Sequence, residues 1–461
     1  MVFSSMVFLC VFLPVVFGLH LVLPGMRAKN ILLVIASLVF YAYGEPIYVI
    51  VLILSAFGNY LFARLIAVLP KNKKWIMTAA VILNIGLLIF FKYLGFLADS
   101  LYAVTGLSVS VPDIKMPIGI SFFTFQALSY VIDVYRGTVE AQKNYGKVLL
   151  YISYFPQLIA GPIVKYHDVE LEINNRKQTV DETGKGIRRF VAGLSKKVLI
   201  ANTMGMVADN IFNASAGLLS GTGAWIGALS YMLQIYFDFS GYSDMALGLG
   251  RMFGFHFKEN FDYPYVSSSI REFWRRWHMS LQTWFKDYVY IPLGGSRVSV
   301  PRHIFNMFVV WGLTGLWHGA NWTFVTWGLM YFILLVIEKY THIDKKFGVF
   351  AHLYTMLFVM LGWVLFRSDS IGSAGSYLLS MIGIGSKGLI DSASIEYLQR
   401  YWIYLILGII CCFPVIHNLN IKLRKNMIYN WIYIIVMSAI LIISIMFIFS
   451  NAYNPFIYFN F

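Results

Sequence analysis

The sequence predicts an all-α polytopic membrane protein with about 11–13 spanning or re-entrant helices, at roughly 20 apolar residues per crossing. Composition is the first reason. Hydrophobic residues fill 59% of the 461 positions and charged residues only 13%, against about 25% charged in an ordinary soluble domain. The second reason is pattern. The apolar stretches are long and lack the period-two alternation of a barrel strand, and backbone in hydrocarbon must satisfy its polar groups inside a helix or a closed barrel. Aromatic residues reach 17%, and Trp and Tyr favour the membrane–water interface.

In chain order, candidate spans fall near 6–23, 31–43, 46–63, 75–97, 116–135, 190–212, 223–250, 304–320, 322–338, 349–366, 400–419 and 429–450. The first has no basic stretch before it and no small-residue cleavage site before Arg27 and Lys29, so a retained helix is expected rather than a signal peptide. The 31–43 stretch ends at Gly44-Glu45-Pro46, where proline cannot continue a helix. The apolar 148–162 stretch closes on Pro156 and Gly161-Pro162 and reads as re-entrant. One membrane-embedded domain is expected over 1–461, with its core at 115–340 and peripheral helices at 1–97 and 349–450.

The net charge of +14 would raise nucleic-acid binding in a soluble protein. Here Lys and Arg gather in the loops 64–74, 136–147, 165–197, 251–302, 339–346 and 420–428, whereas 98–113 and 213–222 carry none. This is the positive-inside bias of membrane proteins; it makes the basic loops cytoplasmic and both termini extracytoplasmic. No nucleic acid is expected as a partner, although an anionic substrate on the cytoplasmic side is a second cause of the same charge. Cys10, Cys411 and Cys412 have neither metal-site spacing nor a disulfide framework. No internal repeat is visible, which counts against repeat-built transporter folds.

The 251–302 stretch is the longest between spans. Placed on one helix, 271–288 brings Arg271, Arg275, His278 and Gln282 to one stripe and Trp274, Trp277, Leu281, Trp284 and Tyr288 to another face. A basic stripe beside an aromatic face predicts interfacial cytoplasmic helices. His278 there is either a site residue or decoration. His318, in the run GLTGLWHGANW (312–322), is an imidazole inside an apolar span, where ionisable groups are costly and face a cavity or a partner. A buried histidine bonded to a neighbouring carbonyl is the alternative. Gln234, Asp238, Ser240 and Asp244 form a third polar patch; Asp238 and Asp244 lie about 120° apart on a helix, so they are not a paired-carboxylate site. They read as bundle-holding groups, with tunnel lining as the alternative. No Ser–His–Asp elbow, P-loop or HExxH pattern occurs.

The runs FWRRWHMSL (273–281), DYVYIPLGGS (287–296) and GLWHGANW (315–322) closely resemble those of the membrane-bound O-acyltransferases, in particular the branch that O-acetylates alginate. GISFFTFQ (119–126), YFPQLIAGP (154–162), QIYFDFSGYSD (234–244) and NPFIYF (454–459) extend the resemblance over nearly the whole chain. It implies a helical bundle around a central tunnel, with the acyl donor entering from the cytoplasm and the acceptor from the other face. It further implies His318 as the catalytic histidine and His278 as its companion, with Arg271, Arg275, Arg276, Gln282, Trp317 and Asn321 as substrate-binding candidates. No metal and no tightly bound cofactor are implied; acetyl-CoA or another acyl thioester serves as donor substrate.

The leading expectation is therefore transfer of an acetyl group from a cytoplasmic acyl-CoA or acyl carrier, for O-acetylation of an extracytoplasmic polysaccharide through a partner protein. The expected location is the cell inner membrane, as a multi-pass protein in contact with the lipid bilayer. D-alanyl transfer to teichoic acid and peptidoglycan O-acetylation are the alternatives within the family. A polysaccharide or ion transporter, or a scaffold without chemistry, are the alternatives outside it. In the leading reading His318, neutral because burial lowers its pKa from about 6.5, takes the proton of the attacking hydroxyl. His278 orients the thioester or steadies developing charge, and the arginines meet the anionic nucleotide. The topology is directly testable: a reporter fused within 165–185 should read as cytoplasmic and one within 213–222 as outside. The reverse pattern at both sites would place the donor on the wrong face.

Overall fold

The computed structural model describes residues 1–112, 114–214, 217–423, 425–450 and 453–455. Among these, regular structure is helical throughout and no strand occurs. Every stretch read from the sequence as a span contains a helix. Among the described residues, six helices are long and apolar enough to cross a membrane: Gly25–Ala42, Tyr48–Val68, Pro70–Thr105, Trp322–Thr341, Gly348–Arg367 and Met427–Ser450. Ser392–Cys411 and Val415–Leu423, bent by 58°, make a seventh if they are one broken span. The remaining stretches are helical but fall short for physical reasons. Phe8–Val22 is brief, and Gly221–Met252 carries Gln234, Asp238, Ser240 and Asp244 among its apolar residues.

The chain forms two compact units, Met1–Phe190 with Ser243–Glu259, and Val191–Tyr242 with Asn260–Phe461. In the first, Tyr48–Val68 packs on Ile120–Arg136 and on Lys73–Leu88. Several of its buried polar groups are matched by partners from other segments. Asn59 and Asn84 exchange side-chain hydrogen bonds of 3.2 and 2.8 Å between neighbouring helices. Arg176 donates to the Phe253 carbonyl at 3.0 Å and to Asn30 at 2.6 Å, and lies 4.5 Å from the Phe255 ring centre. Asp244 is bound by Arg189 at 2.6 Å. The buried 148–162 stretch is two short helices broken at Tyr154, Tyr145–Ser153 and Phe155–Leu158, not a continuous span.

The second unit is organised by a helical hairpin, Val300–His318 and Trp322–Thr341, with Ala351–Arg367 packed on its second arm. The arms meet at glycines. A Cβ on Gly315 would stand 2.5 Å from the Phe324 carbonyl oxygen, and one on Gly328 2.5 Å from that of Trp311. No side chain fits either place, so backbone touches backbone and the depth of both helices is set. Asp238 is paired with Lys197 at 2.6 Å, both nearly inaccessible to solvent. Of the described side chains in Met427–Ser450 only Ser444 is buried, leaving an apolar surface for lipid. Positions 456–459 of the NPFIYF run lie outside the described residues.

The amide pair should be measurable as a helix–helix coupling. Asn59→Ala and Asn84→Ala, alone and together, should give a favourable interaction energy of about 0.5–2 kcal/mol in a detergent-unfolding double-mutant cycle. Strictly additive losses would show that the two side chains contribute independently.

Candidate active site

The site is built on a break. Residues 271–288 do not form one helix: Ile270–Arg276 ends at Trp277, and Met279–Phe285 begins after His278. The Met279 N–H leaves the helical ladder to bond the Asn260 carbonyl at 3.0 Å, and the Asp262 N–H bonds the Arg276 carbonyl at 2.9 Å. Between these two clamps His278 takes a left-handed conformation, φ 46° and ψ 52°. For a residue with a Cβ this is a sparsely occupied region that persists only where the surroundings enforce it.

The first turn of Ile270–Arg276 is held from outside. Glu338, buried near the end of Trp322–Thr341, accepts from the backbone N–H groups of Ile270 at 2.7 Å and Arg271 at 3.0 Å. A carboxylate suits the positive end of a helix. The same helix supplies Trp327 and Tyr331, whose rings lie 5.4 and 4.8 Å from Trp274. Trp277 stacks on Phe273 at 5.5 Å and meets Trp363 tilted at 4.8 Å. Trp274, Trp277, Leu281, Trp284 and Tyr288 are all buried in protein. The aromatic face is therefore covered by protein on both sides of the break.

A cavity of about 310 Å³ opens along this segment. Arg271, Arg275 and Lys286 are exposed on its wall; Trp274, Leu281, Phe285 and His278 line it and are buried. Gln282, Tyr290, Val310, Trp311, Thr314 and Leu335 complete it. A cationic rim thus gives way to an apolar interior that reaches an imidazole. Burial holds the His278 ring far down, to about 3, so it is neutral throughout the physiological range. Its edge meets Phe239 at 4.6 Å and Trp317 at 5.8 Å between ring centres.

His318 is the last residue of Val300–His318 and is buried. Its ring is boxed by Trp317 at 5.0 Å, Trp327 at 5.0 Å and Phe366 at 5.2 Å. Trp317 therefore touches both histidines, while His318 is not among the residues lining the 310 Å³ cavity. Arg271, Arg275 and Gln282 line it together with His278, although the continuous helix that predicted their shared stripe is broken. Arg276 is not on the cavity wall; its guanidinium is engaged by Asp262 at 2.9 Å and Glu272 at 3.1 Å. Asn321 caps Trp322–Thr341 by accepting from the Thr323 N–H at 3.0 Å, and donates to the Asp369 carbonyl at 2.9 Å.

Several wall residues escaped the sequence reading. Lys286 continues the Arg271–Arg275–His278–Gln282 stripe by four residues and was within reach of the same periodicity. Trp311 and Thr314 are brought to the wall from a distant segment; Asn260 and Glu338, which hold the broken segment without lining the cavity, carried no local signal.

The fold is that of a multi-pass helical membrane protein, with a cationic-rimmed cavity and two buried histidines that share a tryptophan. The model of the membrane-bound O-acyltransferase family matches residues 142–359. The Probable alginate O-acetylase AlgI of Pseudomonas syringae pv. tomato is 43% identical over 415 residues, 87% of this chain and 79% of that one. The Peptidoglycan O-acetyltransferase of Helicobacter pylori is 34% identical over 516 residues, spanning 100% of this chain and 98% of its own. The Teichoic acid D-alanyltransferase of Streptococcus thermophilus is 30% identical over 240 residues, 48% of this chain and 56% of its own. The chain belongs to the membrane-bound O-acyltransferase family. It is a multi-pass membrane O-acyltransferase, and the transporter and scaffold readings are set aside.

The two neighbouring arginines should separate on stability. Arg276→Ala should lower thermal stability in detergent by about 1 kcal/mol, a small value because its partners are partly solvated, and Arg275→Ala should leave it unchanged. Equal losses in both variants would mean that Arg276 has no anchoring role of its own.

Proposed function

We propose that this enzyme moves an acetyl group from a cytoplasmic thioester donor such as acetyl-CoA across the inner membrane, for O-acetylation of an extracytoplasmic polysaccharide, through a partner protein or directly. The single observation that carries the reading is the cavity running from exposed Arg271, Arg275 and Lys286 to buried His278. Guanidinium and ammonium groups at a rim suit phosphates and the apolar interior suits an uncharged thioester arm. The acetyl group is favoured over D-alanine because the acetylating relatives match over most or all of the chain, whereas the D-alanyl relative matches over about half.

In this reading an acceptor hydroxyl adds to the thioester carbonyl. His318 takes the hydroxyl proton, the C–S bond breaks, and the leaving thiolate is reprotonated as the ester forms. Gln282 contributes a neutral polar group on the cavity wall, and Trp317 keeps the two imidazoles apart in a water-poor setting. Arg276 and Asn321 hold the surrounding segments.

The test uses purified full-length protein in nanodiscs, radiolabelled acetyl-CoA and a polysaccharide acceptor with its extracytoplasmic partner. Labelled ester should accumulate on the acceptor. His318→Ala should lower the rate per folded molecule by at least about 10²-fold, the lower end for proton-transfer catalysis, beyond whatever removal of a buried ring costs in thermal stability. A His318→Ala protein that melts early yet turns over normally per folded molecule would sink this role for His318.

A further inference from the structure

We propose that Asn260 is a positioning residue that fixes the tautomer of His278, keeping its proton on Nδ1 and its lone pair on Nε2. The inference follows from which atoms can donate. The Ser280 backbone N–H, which can only donate, points at one end of the Asn260 amide at 3.1 Å. That end must be the oxygen, since the NH2 group has nothing to accept with. The same Oδ1 accepts the Ser280 hydroxyl at 2.8 Å and faces His278 Nδ1 at 3.3 Å. A ring nitrogen facing a carbonyl oxygen must carry the hydrogen. The Ser280 oxygen lies 3.5 Å from the same nitrogen with its own hydrogen committed to Oδ1, so it too presents a lone pair. Both neighbours of Nδ1 therefore ask it to be the donor.

The backbone makes the arrangement rigid. Asn260 is buried and its carbonyl holds the Met279 N–H at 3.0 Å. One residue thus grips Met279 and Ser280, the two positions after the left-handed His278, as well as its ring, fixing ring direction and proton position together. The chemical consequence rests on the acyl-transfer reading above. In its neutral form His278 cannot donate a hydrogen bond from Nε2 to a thioester carbonyl; it acts as an acceptor there, and becomes a donor at Nε2 only after receiving a proton. Nδ1–H stays on Asn260 throughout, so no rearrangement accompanies that step.

The experiment is ¹⁵N NMR on the full-length protein in nanodiscs with labelled histidine, nine residues in all, the His278 signals being assigned by their loss in His278→Ala. The wild-type protein should show His278 with a protonated Nδ1 and an unprotonated Nε2. Asn260→Leu removes the acceptor and should abolish that pattern, with kcat for acetyl transfer from acetyl-CoA falling about tenfold or more and the donor KM changing little. Asn260→Asp keeps an acceptor oxygen and should retain the Nδ1–H pattern and recover most of kcat. A wild-type spectrum with the proton on Nε2 overturns the proposal without any variant. So does an Asn260→Leu protein that keeps the Nδ1–H pattern, or an Asn260→Asp protein no more active than Asn260→Leu. If the wild-type protein does not use acetyl-CoA at all, the proposed donor is wrong, and the spectrum still decides the tautomer.

Discussion

Backbone contact between Val300–His318 and Trp322–Thr341 at Gly315 and Gly328 positions the histidine end of this enzyme. With a methyl group excluded from either glycine, the two helices have one depth relative to each other, and everything attached to them inherits it. His318 ends the first arm. The second arm turns one buried face inward, with Trp327 against His318, Tyr331 against Trp274 and Glu338 on the first-turn N–H groups of Ile270–Arg276. A single helix therefore registers His318 against the segment that carries Arg271, Arg275 and His278. Packing in a membrane gains little from the hydrophobic effect between helices, so close backbone approach and satisfied polar groups do this work.

The polar groups inside the bundle follow the same constraint. A lone amide, guanidinium or carboxylate in an apolar interior costs several kcal/mol unless it is met by a partner, and partners are in place. Asn59 meets Asn84, Arg176 meets Asn30 and a carbonyl, Asp238 meets Lys197, and Asp244 meets Arg189. The side chains that line the cavity are of another kind. Arg271, Arg275 and Lys286 remain exposed at the rim, where an anionic ligand can displace water, and the apolar wall behind them strengthens any electrostatic contact made there. Arg276 is held by Asp262 and Glu272, whereas Arg275, one residue earlier, is exposed on the cavity wall.

How much of this was legible beforehand depends on the range of the interaction. All-helical, membrane-spanning architecture follows from composition and apolar run length, because backbone in hydrocarbon has so few ways to satisfy itself. The positions of the helices follow in large part, since every run read as a span contains a helix, although the 400–419 run is broken between Cys411 and Val415. The two histidines stood out for local reasons, one in an apolar span and one among arginines, and the stripe from Arg271 to Gln282 did come to line one cavity. The tertiary structure decided what lay beyond local reach. A helix through 271–288 satisfied every periodicity, yet the chain breaks at His278 because Asn260, eighteen positions earlier, takes the Met279 N–H. That break folds the aromatic face into protein, sets Asp262 beside Arg276, and selects which ring nitrogen of His278 bears the proton. Periodicity describes a helix that is free to continue; only a partner from another segment determines where it must stop.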